Sequence, residues 1–200
     1  MDAEKIVNKI TKEHGTIKNV YFLACGGSLV DLYPGYYFLR AESAVMDAQW
    51  IPAREFALTP PRKLGKDSLL VICSHSGKTK ECLEAAKAGM EAGAAVVTMT
   101  HAPGSACDTD EWISIVYDWA PGVKEAEKPQ GIVLRLLNEL MKIQEPGYGL
   151  YDKIAEGFGK IDEIIAEAVK DQQNAAWLFA EKYSEEPNLY IMASGASYSQ

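Results

Sequence analysis

The apolar positions of the chain fall into two alternating patterns. Short continuous apolar runs, of which 19–24 and 68–73 are the clearest, are typical of strands that are buried on both faces of a sheet. Between the runs, apolar residues recur at spacings of three and four, as in Ile132–Ile143, and this spacing is typical of amphipathic helices. Strands are predicted on this basis at 19–24, 44–50, 68–73, 94–100 and 112–117.

Helix-forming segments separate most of the predicted strands. Because parallel strands need crossover connections, this alternation predicts an α/β fold, a five-stranded parallel sheet with helices on both faces. One sequence does not contain the strand order, so we take the flavodoxin-like order as the expectation. Helices are predicted at 2–14, in the segment up to Arg40 with an interruption near Pro34-Gly35, briefly within 52–64, at 79–92 and at 132–143.

A long helical stretch, formed by one or two helices, is predicted from Leu150 to about Tyr183. Its apolar residues recur at helical spacing, which indicates a packed element rather than a flexible linker. The pattern leaves two roles open, a helix that covers the sheet of its own domain and a helix that packs at a subunit interface. The periodic apolar positions are Ile154, Phe158, Ile161, Ile164, Ile165, Val169, Ala176, Phe179 and Tyr183.

The last residues repeat the first predicted strand and its turn. Residues 188–198 align without gaps onto 19–29, with five of eleven positions identical, at an offset of 169 residues. This repeat predicts that a second, truncated domain of the same kind starts near the end of the chain. The expected organisation is an N-terminal helix at 1–18, a first domain at 19–145, a helical connector at 146–187 and the start of the second domain at 188–200.

Composition and charge exclude several classes of function. The 200 residues include 20 Lys and Arg against 28 Asp and Glu, so the net charge of −8 argues against nucleic acid or an anionic membrane as the main partner. No apolar run approaches the ~20 residues of a transmembrane helix, and residues 1–5 do not resemble a secretory signal. Four separated cysteines and three histidines without ligand spacing predict a reduced, cytoplasmic protein with no metal site and no cofactor.

Two loops that follow predicted strands contain the residues best suited to binding a ligand. In a parallel α/β sheet, ligands bind at the carboxyl ends of the strands, and both loops are expected there. The first reads C-G-G-S at 25–28, and the second reads S-H-S-G-K-T-K-E at 74–81 and runs into a predicted helix. Hydroxyls and free N–H groups at a helix start suit a phosphate monoester, although capping of that helix by the same hydroxyls is the alternative. The candidate ligand-binding residues are Gly27, Ser28, Ser74, His75, Ser76, Gly77 and Thr79.

These two loops resemble the motifs of the sugar isomerase (SIS) family, a C-G-x-S turn and an S-x-S-G-x-T-x-E segment. The resemblance covers about residues 18–145 and restarts at 188. It implies sugar-phosphate contacts, repeated modules joined by helices, active sites at subunit interfaces, and a homodimer or higher homo-oligomer. Two-module members include the isomerase half of glucosamine-6-phosphate synthase and deglycases that split fructosamine 6-phosphates. The residues to which the resemblance assigns these contacts are Ser28, Ser74, His75, Ser76 and Thr79.

Differences from the synthase favour the deglycase branch of the family. The synthase usually has glutamine at the position of His75, and it has a hydroxyl-bearing loop where this chain has 122–128, which contains no Ser or Thr. The synthase also needs a glutaminase domain with an N-terminal cysteine, and residues 1–18 are too short for one and contain no cysteine, so we expect none. In that charged loop, Lys124 or Glu125 either enters the site or is simply solvated, and the solvated state is our expectation.

The resemblance therefore predicts an enzyme that hydrolyses a fructosamine 6-phosphate to a hexose 6-phosphate and an amine. Fructoselysine and glucoselysine 6-phosphates are the expected type, by analogy with the family. Proton transfer between C1 and C2 needs a base, which in the family is a glutamate with a nearby histidine in the second module, so no catalytic residue is assigned here and His75 is a poor candidate. The alternatives are an aldose–ketose isomerase, a synthase-like enzyme without glutaminase, and a non-catalytic sugar-phosphate sensor.

Overall fold

The computed structural model describes residues 1–193 and 195 and contains one parallel sheet between two layers of helices. The strands are β1 (Asn19–Ala24), β2 (Asp47–Pro52), β3 (Ser68–Cys73), β4 (Ala95–Thr100) and β5 (Ile113–Val116). They lie in the order β2-β1-β3-β4-β5, and every neighbouring pair is parallel. The expected α/β class and the flavodoxin-like strand order are therefore confirmed.

The largest error in a strand boundary concerns β2, which begins three residues later than predicted. The backbone N–H of Ala44 donates to the carboxylate of Glu145 at 3.0 Å, and the N–H of Met46 donates to the Ser43 hydroxyl at 2.9 Å. These backbone groups are therefore bonded to side chains rather than to a neighbouring strand. The apolar pattern at 44–46 reflects packing of Met46 into the core, not sheet pairing.

Helix positions agree with the apolar periodicity to within a few residues. The predicted interruption before Arg40 is real but lies at Leu32, where one short helix ends and a longer one begins. Pro129 starts the sixth helix, because its missing N–H would have no helical partner at that position. The helices are α1 (Ala3–His14), α2 (Gly27–Asp31), α3 (Tyr33–Glu42), α4 (Ala53–Leu58), α5 (Lys80–Glu91), α6 (Pro129–Gln144) and α7 (Tyr151–Tyr183), with a 3-10 turn at Glu125–Glu127.

Alternation along the strands divides the apolar side chains into two cores, one on each face of the sheet. Phe22 of β1 and Val71 of β3 point to the face covered by α1, α3 and α6, while Leu23 and Ile72 point to the face covered by α4 and α5. The helix predicted as a separate N-terminal element, α1, contributes buried residues to the first of these cores. It is therefore packed into the same unit as the sheet.

The long helix α7 is continuous over 33 residues, and it does not cover the sheet. It packs against α6 and the 3-10 turn, and none of its residues is buried. Large apolar side chains such as Val169, Trp177 and Phe179 are exposed along it. Of the two roles left open by the sequence, coverage of its own sheet is wrong for the described residues, while a subunit interface stays a prediction. No described helix combines the length and the apolar content that a membrane crossing would require.

The segment predicted to begin a second module forms no strand within its described part. Residues 188–193 have no regular secondary structure, and Tyr190, Ile191 and Met192 are about 90% exposed, at 88%, 92% and 92%. A buried parallel strand needs neighbours on both sides, and the described residues pair none with this segment. The turn of the predicted repeat, at residues 194 and 196–200, lies outside the described residues. The second module therefore stays a prediction.

The start of α6 depends on a glycine against which the 3-10 turn packs by its backbone. A Cβ atom added at Gly131 would lie 2.3 Å from the carbonyl oxygen of Glu125 and 2.6 Å from the Cα of Ala126. Backbone atoms cannot rotate away as a side chain can. We therefore expect Gly131→Ala to lower the free energy of unfolding by about 1–3 kcal/mol in urea titrations.

Gly159 in α7 provides the matched control, since it is also helical but has no atom within 4 Å of its added Cβ. Gly159→Ala should leave stability unchanged or raise it by up to about 1 kcal/mol, because alanine has the higher helix propensity. A Gly131→Ala protein as stable as the Gly159→Ala protein would contradict the close packing of the 3-10 turn on α6.

Candidate functional site

Both loops singled out in the sequence leave the same edge of the sheet from neighbouring strands. Ala24, the last residue of β1, pairs with Cys73, the last residue of β3. The 25–28 turn and the 74–79 loop therefore start side by side at the carboxyl edge, as expected. α2 follows the first loop, and α5 follows the second.

The 74–79 loop is held in shape by hydrogen bonds within itself and to the end of β4. The buried hydroxyl of Ser74 donates to the Thr79 hydroxyl at 2.9 Å, and the N–H of Gly77 donates to the Ser74 carbonyl at 2.9 Å. The N–H of His101, just after β4, donates to the carbonyl of His75 at 3.1 Å. Ser74 is thus a structural hydroxyl that orients Thr79, whereas His75 and Ser76 are exposed.

The amino end of α5 is not capped by any of these hydroxyls. Thr79 occupies the N-cap position, and its side chain makes no capping hydrogen bond. The first N–H groups of α5 have no partner within the helix and carry the positive end of its dipole. The capping alternative is therefore wrong at this position. The hydroxyl of Ser76 accepts from the N–H of Lys78 at 3.3 Å, and donation by the hydroxyls of Ser76 and Thr79 to an anion stays a prediction. We refer to the 74–79 loop together with the first turn of α5 as the cradle.

The first loop adds a glycine and a hydroxyl next to the cradle. Gly27 is exposed and begins α2, while Ser28 is half-buried. The Ser28 hydroxyl interacts with the thiol of Cys73, which lies at the end of β3 directly before the cradle. Burial raises the pKa of the Cys73 thiol to about 12, so this thiol stays protonated near neutral pH.

Two polar residues near the cradle were not found from the sequence. The side-chain amide of Gln130, at the start of α6, donates to the carboxylate of Asp31 at the end of α2 at 2.7 Å. Burial raises the pKa of Asp31, and the neighbouring His75 opposes that shift. Asp31 lies three residues after Ser28, so helical spacing could have placed it on the same face of α2 as Ser28. Nothing local in the sequence indicates its contact with Gln130.

An aromatic cluster contacts His75, and it too was not predicted from the sequence. The His75 ring stacks on the ring of His101 at 4.9 Å between centroids, and its Nδ1 lies 3.0 Å from the Tyr117 hydroxyl. Trp119 meets His75 edge-on at 5.8 Å. Tyr117 directly follows β5, so its position at the carboxyl edge could have been inferred from the strand assignment. We refer to His75, His101, Tyr117 and Trp119 as the His75 cluster.

The charged loop at 122–128 has its own partners. Glu125 forms an ion pair with Lys128, and its backbone N–H donates to Asp162 of α7 at 2.9 Å. Lys124 is exposed and lines a cleft of about 640 Å³ between the N-terminus, α6 and α7. Neither side chain makes a described contact with the cradle, and the solvated state of the loop stays a prediction.

All four cysteines are free thiols. Among residues 1–193 and 195, no three His, Cys, Asp or Glu side chains converge as metal ligands would. The groups that this edge of the sheet presents are hydroxyls, N–H groups and a histidine ring, and anion binding by them stays a prediction.

Comparisons with known proteins give two curated relatives and a group of similar structures, while no protein-family model matches the chain. The chain is 31% identical over 183 residues, 92% of its length, to the fructosamine deglycase FrlB of Bacillus subtilis. It is also 31% identical over 113 residues to a glutamine–fructose-6-phosphate aminotransferase of Clostridium tetani, and this aligned region covers 56% of this chain and 18% of that enzyme. A crystal structure assigned as a phosphosugar isomerase of Salmonella typhimurium superposes with a TM-score of 0.90 at 32% identity, over 99% of this chain.

The chain spans only part of these relatives. It covers 56% of the length of the deglycase and 59% of the Salmonella protein. The similarity therefore bears on the part of those proteins that this chain matches, and the activity of a whole enzyme is a separate question.

Proposed function

Because the chain contains a domain of the sugar isomerase (SIS) fold, shared with phosphosugar isomerases and deglycases, we propose that it binds the phosphate of a fructosamine 6-phosphate for hydrolytic deglycation. The products are a hexose 6-phosphate and a free amine, with water supplying the oxygen that replaces nitrogen. The observation that supports this most directly is the similarity to a fructosamine deglycase over 92% of the chain.

The cradle supplies the binding part of this proposal. A phosphate monoester carries two negative charges and accepts many hydrogen bonds, and the cradle offers the uncapped N–H groups of α5 with the hydroxyls of Ser76 and Thr79. Gly27 and Ser28 approach from the neighbouring strand end, and we assign them to the sugar side of the ligand. Binding energy gained at the phosphate, far from C1 and C2, holds the reacting carbons in place and so contributes to the rate.

The base that moves the proton between C1 and C2 is not assigned to the described residues. His75 is held by the Tyr117 hydroxyl and lies within the loop that we assign to the phosphate, which suits binding better than proton abstraction at carbon. We propose that the base belongs to a second module, of which 188–200 is the start, in a homo-oligomer with sites between subunits.

Lysine release tests the proposal directly. The full-length protein is expected to release lysine from fructoselysine 6-phosphate or glucoselysine 6-phosphate, and much less from the unphosphorylated compounds, because only the phosphorylated forms occupy the cradle. Released amine is measured by chromatography, with hexose 6-phosphate measured enzymatically in the same samples. If the protein binds glucose 6-phosphate but releases no amine from either substrate, the deglycase proposal is rejected and a non-catalytic sugar-phosphate-binding protein is indicated.

A second candidate function follows from the similarity to the aminotransferase over 113 residues. It is interconversion of fructose 6-phosphate with glucose 6-phosphate, or with glucosamine 6-phosphate in the presence of ammonia. The loop at 122–128 has no hydroxyl, unlike the corresponding loop of the synthase, and this favours the deglycase. Isomerisation without amine release would reverse that preference.

A further inference from the structure

The Tyr117 hydroxyl lies between two groups of different basicity. It is 3.0 Å from Nδ1 of His75 and 4.0 Å from the sulfur of Cys73, and Tyr117 is 5% exposed. Burial raises the pKa of both Tyr117 and Cys73, so both groups keep their protons near neutral pH. Tyr117 therefore has one hydrogen to donate, while the thiol can donate weakly to the tyrosine oxygen.

The imidazole nitrogen is the better acceptor for that hydrogen. A thiol sulfur accepts hydrogen bonds weakly, whereas the unprotonated nitrogen of a neutral imidazole is a good acceptor, and the shorter distance is to His75. The neutral His75 ring therefore accepts at Nδ1. Because a neutral imidazole carries one N–H, the proton must then lie on Nε2.

The neighbouring histidine is held in the opposite tautomer. His101 places Nδ1 at 3.1 Å from the backbone carbonyl oxygen of Tyr117, and a carbonyl oxygen can only accept. His101 therefore carries its proton on Nδ1. The two rings stack at 4.9 Å between centroids, and the half-buried carboxyl of Asp31 lies near His75.

From this geometry we propose that Tyr117 is a positioning residue, which holds His75 in the Nε2–H tautomer and so presents a fixed donor to the sugar phosphate in the cradle. The role as a donor to ligand rests on the proposed function, while the tautomer itself does not. His75 is exposed and lies between Ser74 and Ser76 in the cradle, so we assign its Nε2–H to the bound ligand. A glutamine at this position would need no such partner, because its amide always offers an N–H donor.

The tautomer is measured on the free protein by long-range ¹H–¹⁵N correlation with ¹⁵N-labelled histidine at pH 8. His75 is identified by the signal that His75→Gln removes. We expect an Nε2–H pattern for His75 in the wild type and a mixture of both tautomers in Tyr117→Phe. An Nδ1–H pattern in the wild type, or an unchanged pattern in Tyr117→Phe, would overturn the inference.

The functional consequence is measured by a double-mutant cycle on glucose 6-phosphate affinity. Tyr117→Phe should weaken binding by about threefold to tenfold, which corresponds to one weakened hydrogen bond, and should change it by less than about twofold in a His75→Gln background. Equal losses in both backgrounds would assign Tyr117 to the fold instead. If no variant and not even the wild type binds the ligand, the proposed function fails while the tautomer result stands.

Tyr21→Phe serves as the matched control. Tyr21 is fully buried in β1, and its hydroxyl has no hydrogen-bond partner among the described residues. This variant removes a buried tyrosine hydroxyl without touching the His75 cluster. It should leave both the His75 tautomer and the ligand affinity unchanged.

Discussion

Replacing both Ser76 and Thr79 with alanine is expected to weaken binding of glucose 6-phosphate by more than about 100-fold. Each lost hydrogen bond to a charged group is worth about 1.5–3 kcal/mol, so two of them exceed that factor. The affinity for unphosphorylated sugar should change little, because these hydroxyls are assigned to the phosphate. Isothermal titration with the phosphorylated and the free sugar measures the difference directly.

Two controls separate binding from stability in this experiment. Loss of the Thr79 hydroxyl leaves the buried Ser74 without its acceptor, so urea unfolding of the variant must be measured beside its affinity. Thr109→Ala removes a hydroxyl in the loop before β5 that accepts from the N–H of Glu111 at 3.3 Å, and it should change neither affinity. An equal loss of affinity for both sugars would mean that Ser76 and Thr79 support the loop rather than contact phosphate.

Gly77→Ala should have the largest effect on stability of the substitutions considered, with a loss of about 2–5 kcal/mol in the free energy of unfolding. Gly77 has φ of +64°, a conformation that side-chain-bearing residues rarely adopt. Its added Cβ would also lie 1.9 Å from the Ser105 hydroxyl oxygen and 2.8 Å from that of Thr100. Backbone strain and a steric clash therefore act together at the tightest point of the cradle.

Gly93 separates these two causes. It has φ of +77° but no atom within 4 Å of an added Cβ. Gly93→Ala should therefore lower the free energy of unfolding by about 1–2 kcal/mol, through backbone strain alone. Adding Ser105→Gly to Gly77→Ala removes the closest contact and should recover part of the loss. If Gly77→Ala and Gly93→Ala lower the free energy of unfolding equally, the close packing of the 102–107 loop on the cradle is contradicted.

The sheet could be predicted because its strands are buried on both faces and therefore leave a simple signal. Continuous apolar runs marked β1 and β3 to the residue, and the alternation with helices was enough to predict a parallel sheet. The edge strand β2 was placed less well, since Glu145, about 100 residues away along the chain, accepts hydrogen bonds from the N–H of Ala44 and the hydroxyl of Ser43 just before it. Such distant side-chain contacts leave no local pattern in the sequence.

The candidate site was predicted in part for a similar reason. Hydroxyls and glycines in the 74–79 loop are local features, so a single segment pointed to the cradle. Tyr117 and His101 come from two other strand ends, and only the order of strands in the sheet brings them to His75. Thr79 lies at the N-cap position of α5 without making a capping hydrogen bond, and this could be recognised only once the start of α5 was known.

The α/β class, the parallel strands and the loop chemistry could be predicted from local patterns, because apolar spacing and turn residues act over a few positions. Which apolar segments become buried depends on the folded arrangement of the chain. Tyr21 and Phe22 are fully buried between neighbouring strands, whereas Tyr190 and Ile191, in the same aligned pattern, are about 90% exposed, at 88% and 92%. The physical reason is that an apolar run becomes a buried strand only when other strands pair with it on both sides, and a local pattern does not contain those partners.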